Sequence, residues 1–441
     1  GHLGVAYFTI PVHARQLLLA ARQGAEVHAI DVVDVRPILS RFGDHSYRYP
    51  HKLGVCVQPV YYHADWTVFV QFFEFWLSAG ATKFYVYVHS YTPQVSTILE
   101  HYKRTLGDSV ELIPWSDLPV ASQLLEYRDA GDFFADPNTR VFRAGAYTAI
   151  NDCILRARWQ VKFLSMLDLD EILHISYGES IVNTLDRLAE EREEAATFTM
   201  EWQLVEYRSH NRKVRKPSQL RFDSLKKLLI PAHEFVNNEY IRLRKIMQRP
   251  ERVIMSDIHN ALLNEREGNE LRLSIPDSME DSQADSSMMA MVDYGVLLNP
   301  PDRKRRYGEA QANATDITVL HLRRFNPIFV EQRIVYNISA RSDILSEVAE
   351  RMNTAWRERT RSSDLGGADF GLWWPTFVQT TRDLEQCRYS PFNLNMKLGK
   401  GFCRSIANCE PTLTNRQAFT KAQQVWTNVA GRTRFLQYIH G

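Results

Sequence analysis

Residues 161–175, VKFLSMLDLDEILHI, set an apolar run directly against three acids, Asp168, Asp170 and Glu171. Such a run reads as a buried strand, and carboxylates at its carboxyl end need a partner because unpaired charge there is costly. In open α/β sheets the ligand crevice lies beyond those strand ends. Side chains alternate along an extended chain, so Asp168 and Asp170 are expected to point the same way and share one hard cation. A cation held there would in turn hold a diphosphate.

The surrounding pattern agrees with a strand in an α/β fold. From residue 54, strands and helices alternate: VCVQPVYY reads as a strand, and residues 65–79 as a helix capped by Asp65 and stopped by Gly80. KFYVYVHS is a second strand, residues 93–107 a helix opening on Pro93 and closing on Gly107, and VELIPW a third strand. After a polar loop come a helix (AGAYTAINDCILRARW), the strand VKFLSML, a helix over 179–193 and a strand over 196–202. This order predicts a mainly parallel central sheet with covering helices. Residues 208–256 are basic and loop-rich, 267–287 read as a mobile acidic loop, and ITVLHL (317–322) as a late strand. Residues 1–50 read as a small β-rich module or lead-in and 51–340 as the main α/β domain. Residues 341–441 form an extension that is helical, then Trp/Pro/Gly-rich (GGADFGLWWP), then cysteine-bearing.

A chain of 441 residues suggests two or three modules. Its 53 Lys and Arg nearly cancel its 52 Asp and Glu, so no global field favours nucleic acid, and any anion site is local. No stretch approaches the ~18–20 apolar residues of a membrane span. The chain opens on Gly1 rather than Met, which reads as trimmed and fits a removed type II membrane anchor. Cys56 and Cys153 lie in apolar settings and read as buried thiols, whereas Cys387, Cys403 and Cys409 leave room for one disulfide. With the sequons at Asn313 and Asn337, those C-terminal cysteines tilt the reading toward a secretory lumen.

Two other classes share an Asp-x-Asp after an apolar strand. A metal-dependent phosphatase or phosphotransferase would use Asp168 as nucleophile, although that motif normally opens its domain. A non-catalytic module would use the acids to bind Ca²⁺ and a sugar. An EF-hand is excluded, because Ile172 occupies the third ligand position.

Several ordered patches over residues 54–335 resemble glycosyltransferase family 92. They are Asp65-Trp66, GATKFYVYVHS (80–90), NDC (151–153) with Arg156, DLDE (168–171), KIMQRPE (245–251) followed by His259, and HLR (321–323). The chain departs from the family after Trp202, where QLVEYRSHNRK is not small and Gly/Ser-rich. It departs again at Leu322, which stands where an aromatic is usual. The resemblance implies an α/β GT-A-like nucleotide-sugar-binding domain that moves galactose from UDP-galactose to a glycan acceptor hydroxyl with inversion. The product would be a β-linked galactoside, β1,4 and on core fucose of N-glycans included, made by a type II protein of the Golgi lumen. It also implies Mn²⁺, which suits carboxylate, imidazole and diphosphate ligands together.

On that basis Asp168, Asp170 and His321 are the expected metal ligands. Lys245, Arg249, Arg323 and Arg324 are expected to hold phosphates, and Tyr87, His89, Ser90, Asn151 and Arg156 to border the nucleotide, with Asp168 reaching it too. Residue chemistry alone leaves other readings open: Asp152 and Arg156, four apart, can form a simple ion pair, and His259 can be a partner of Asp257. Glu206 is the choice for the base that takes the acceptor proton, over Glu201 and Asp223.

Overall fold

The computed structural model describes residues 16–20, 27–31, 48–118, 137–175, 179–207, 213–231, 244–264, 307–324, 338–388, 409–423, 425–428 and 437–440. Strands β1 (Gln16–Ala20) and β2 (Val27–Asp31) pair antiparallel. The alternating region follows: β3 (His51–Val60), α1 (Trp66–Ser78), β4 (Lys83–Val88), β5 (Ser90–Tyr91), α2 (Pro93–Leu106) and β6 (Val110–Pro114). Next come α3 (Ala146–Ala157), β7 (Val161–Ser165), β8 (Glu171–Ile175), α4 (Ile181–Glu191) and the long β9 (Ala195–Tyr207). Residues 208–256, read as loop-rich, also hold β10 (Leu228–Pro231), β11 (Lys245–Gln248) and β12 (Val253–Ser256). Beyond them lie β13 (Ala261–Asn264), β14 (Gly308–Gln311), β15 (Ile317–Arg324), β16 (Ile338–Ser342), α5 (Ser346–Arg361), α6 (Trp373–Arg388) and β17 (Thr420–Lys421). The acidic stretch 267–287, Asn337 and Cys403 lie outside the described residues.

The central sheet is mixed α/β in the expected way. Strands β6, β4, β3 and β7 are parallel neighbours in that order, and β11, β9, β10 and β16 extend the sheet with antiparallel pairings. Strands β14 and β15 add parallel partners to β9, and β8 pairs antiparallel with β15. Period-two alternation splits the core between the two faces. Val55, Val57, Phe84 and Val86 face the cluster of α1, α2 and α5, while Cys56, Tyr85 and Tyr87 face that of α3.

Helix α1 shows how local sequence builds this. Asp65 caps it by accepting from the Thr67 backbone N–H at 3.0 Å, and Gly80, just past its end, takes the left-handed φ of +92° that stops it. Ten of its thirteen residues are buried, so it is apolar nearly all round and sits between the sheet and α5. Its single acid, Glu74, accepts from Tyr102 Oη at 2.7 Å and pairs with Arg359 of α5 at 2.8 Å. The segment after residue 340 is thus tied into the same core.

Two cysteine expectations meet the coordinates. Cys56 and Cys153, read as separate thiols, are joined as a disulfide, because β3 alternation turns Cys56 toward the helix that carries Cys153. Cys387 on α6 is joined to Cys409.

Candidate functional site

Successive strands β3, β4 and β6 run outward in one direction, and β7 then returns to the other side of β3. The order reverses between β3 and β7, and a crevice at such a switch point is where open α/β sheets take their ligands. A cleft of about 500 Å³ opens there. Its walls are the residues leaving β3 (Val57 to Asp65), the turn after β7 (Leu167 to Asp170), Arg143 and Ala146 before and on α3, Tyr207 and Leu322. Phe377, Thr380, Thr381 and Leu384 of α6 close it.

The acids stand on that turn, with one difference from expectation. Strand β7 ends at Ser165, and the Glu171 N–H donates back to the Asp168 carbonyl at 3.0 Å, so 168–171 is a tight turn rather than extended chain. Alternation therefore does not align the two aspartates. Asp168 is held by Gln58 Nε2 at 2.8 Å on one oxygen and by Lys245 Nζ at 3.0 Å on the other. Asp170 instead meets His321 Nε2 at 3.1 Å, and its side chain remains 47% exposed at the cleft. Burial pushes the Asp170 carboxyl up, but the hydrogen bond and charge of His321 hold it below the usual carboxylate range.

Behind this turn lies a buried ion pair. Lys245, from β11, reaches Glu171 at 2.8 Å as well as Asp168, and both Lys245 and Glu171 are nearly inaccessible. Burial and the adjacent Asp168 charge raise the Glu171 carboxyl, with Lys245 opposing. Burial lowers Lys245, but the two carboxylates outweigh it and the ammonium persists. Trp202 Nε1 donates to the other Glu171 oxygen at 3.1 Å, and its ring lies edge-on to His321, with centroids 5.0 Å apart.

Among the described residues no three His, Cys, Asp or Glu side chains are gathered as a ready metal shell. The adjoining carboxylate of Asp170 and imidazole of His321 nonetheless form an oxygen–nitrogen donor pair of the kind that would suit Mn²⁺.

Other expected residues fall into three groups. His89 and Ser90 lie just beside the cleft: His89 contacts Asp117 at 2.9 Å, and the Ser90 hydroxyl accepts from the N–H of Tyr62, which lines it. His259 Nδ1 contacts the Arg244 carbonyl at 2.8 Å, its backbone N–H is held by Asp257, and burial lowers its pKa. Tyr87, Asn151, Arg156 and Arg249 are occupied away from the cleft. Tyr87 Oη donates to Asp152, which also pairs with Arg156 at 2.7 Å. Burial, with Asp152 added, pushes the Tyr87 phenol far up. Asn151 clamps Ser256 of β12 through both backbone groups, and Arg249 lies 3.4 Å from Glu251.

On the long strand, Glu206 is buried and sits beside Arg323 in the parallel register of β9 and β15, and Arg324 pairs with Tyr207. By alternation Glu206 shares a face with Trp202, the face that also carries His321. Glu201 is exposed, and Asp223 is exposed and paired with Lys226. Sequence reading missed Gln58, Arg143 and the α6 wall. Gln58 had a faint signal, a polar residue inside an apolar strand; the others join the site only through tertiary packing.

A large, mixed central sheet flanked by helices, with a cleft at its reversal point lined by Asp168 and Asp170, defines an α/β domain with a ligand crevice at its switch point. The model of glycosyltransferase family 92 matches residues 51–283, more than half of the chain, and the chain belongs to that family. It is also similar to a glycosyltransferase family 92 protein of Caenorhabditis elegans, 27% identical over 127 residues, or 29% of this chain. That match spans 22% of the length of the nematode protein.

Proposed function

We propose that this domain binds UDP-galactose in the cleft between β3 and β7 and passes the galactose to a glycan hydroxyl by direct displacement with inversion. The observation that carries this reading is the Asp170–His321 pair at the rim of a cleft placed at the sheet's switch point. Family membership supports glycosyl transfer. The galactosyl donor, the N-glycan acceptor with its core fucose, the β1,4 linkage and a Golgi lumenal type II setting follow from the resemblance.

Asp170 and His321 would hold Mn²⁺, which supplies positive charge against the UDP leaving group as the anomeric bond breaks. Lys245 is spent on Asp168 and Glu171, so its part is to fix the turn that carries Asp170. Trp202 and Glu171 brace His321 from behind. Glu206 is assigned as acceptor of the attacking hydroxyl's proton, because it shares the His321 face of the sheet. No protein nucleophile is required, which separates this reading from an aspartyl-phosphate mechanism at Asp168.

A panel of UDP-sugars with Mn²⁺, comparing wild type with Asp170→Ala, tests the proposal. Transfer or donor hydrolysis is expected to fall at least ~100-fold, the scale of losing one electrostatic contact to the transition state. Unchanged turnover in the variant would refute the role given to Asp170.

A further inference from the structure

We propose that Arg143 grips the diphosphate of the donor, an assignment that rests on the nucleotide-sugar reading above. Among the described residues lining the cleft, Arg143 is the only Arg or Lys, while Asp65, Asp168 and Asp170 are all acids. A diphosphate entering such a cleft needs a cation of the protein's own beside any metal. Of the cations that the sequence put forward, Lys245 is buried against two carboxylates and Arg249 lies against Glu251, neither among the residues lining the cleft. The planar fork of a guanidinium matches two phosphate oxygens at once.

The backbone supplies a second, independent observation. Arg143 has φ +44° and ψ +54°, and Ala144 has φ +53° and ψ +32°, followed by Gly145 at φ +75°. Two consecutive non-glycine residues in the left-handed region are unusual, and strain of this kind gathers where a side chain must be aimed. Four non-glycine residues with positive φ occur among the described residues, and two of them, Tyr62 and Arg143, line this cleft. The turn is pinned from the core: Trp115 Nε1 donates to the Ala144 carbonyl at 2.6 Å, and the Trp115 ring packs edge-on against Tyr87 at 5.1 Å. Glycine would adopt the conformation at 143 without cost, yet the chain carries arginine there.

Arg143→Gly keeps a turn that glycine adopts freely, with thermal melting measured alongside to show that the variant is folded, and Arg143→Lys keeps charge without the fork. Uridine and UDP are titrated calorimetrically into the whole chain and both variants with Mn²⁺ present. Arg143→Gly is expected to weaken UDP by about 10- to 100-fold, the range for hydrogen bonds to a charged group, and to leave uridine unchanged. Arg143→Lys should fall between. Wild-type affinity for UDP in Arg143→Gly overturns the assignment and leaves the donor reading standing, as does an equal loss of uridine. A wild-type chain that binds no UDP overturns both.

Discussion

His101 illustrates how far a single buried side chain can govern this molecule's response to pH. It is 2% exposed and neither ring nitrogen has a hydrogen-bond partner among the described residues. Burial first, then the charges of Arg359 and Arg104, lower its pKa from 6.5 to about 4. Between those values the unfolded chain takes up a proton that the folded chain refuses. Stability is therefore full above pH 6.5 and falls as the pH drops toward about 4, by up to about 3 kcal/mol from this one group. Urea titrations of wild type and His101→Phe at pH 7 and pH 5 measure it: the gap between the two pH values should shrink in the variant, and an unaltered gap would contradict the assignment. The same scale shows what residue order reveals. Asp168 and Asp170 were legible because acids after an apolar run are anomalous. Their divergence was not, since it depends on where β7 stops and the turn begins, one residue either way.

Elements bounded by local signals could be read directly. Helix α1 is flanked by Asp65 and Gly80, and α2 by Pro93 and Gly107; cap chemistry at each end needs no tertiary context. Strand β8 escaped because it lies past the acids and pairs only with β15, 150 residues on by the Glu171–His321 register. Strands β10 and β11 escaped for the same reason, being short and paired at long range, whereas β12 is a four-residue strand paired only with nearby β13. Helix α6 was read neither as a helix, since it opens inside the Trp/Pro/Gly-rich stretch, nor as a wall of the site, because nothing local ties Thr380 and Thr381 to the end of β3. That placement has a direct consequence. Thr381→Trp adds bulk to the cleft from the α6 side and leaves Asp170 and His321 themselves in place. It is expected to weaken UDP at least about 10-fold while the melting temperature holds, a step of about 1.4 kcal/mol. Full UDP affinity in this variant would show that α6 does not border the bound nucleotide.

At the scale of the whole molecule, the strand order puts one opening at the reversal between β3 and β7, and the long-range pieces converge on it. β15 brings His321 to Asp170, β11 brings Lys245 to Asp168, and the C-terminal segment brings α6 across the top. The same segment is fastened by Arg359 to Glu74 and by Lys421 of β17 to Asp117 at 2.8 Å, and the Cys387–Cys409 disulfide closes it on itself. The segment also pairs β17 with β5, setting Lys421 opposite Ser90 and Thr420 opposite Tyr91. Phe377, Thr380, Thr381 and Leu384 of this segment thus line the cleft rather than merely following it. A crystal grown with UDP and Mn²⁺ and measured at the manganese absorption edge tests the central claim most directly. An anomalous peak at coordination distance from both the Asp170 carboxylate and His321 Nε2, with the diphosphate beside it, is the result the account predicts. Nucleotide bound elsewhere, with Asp170 and His321 still paired only to each other, would contradict it.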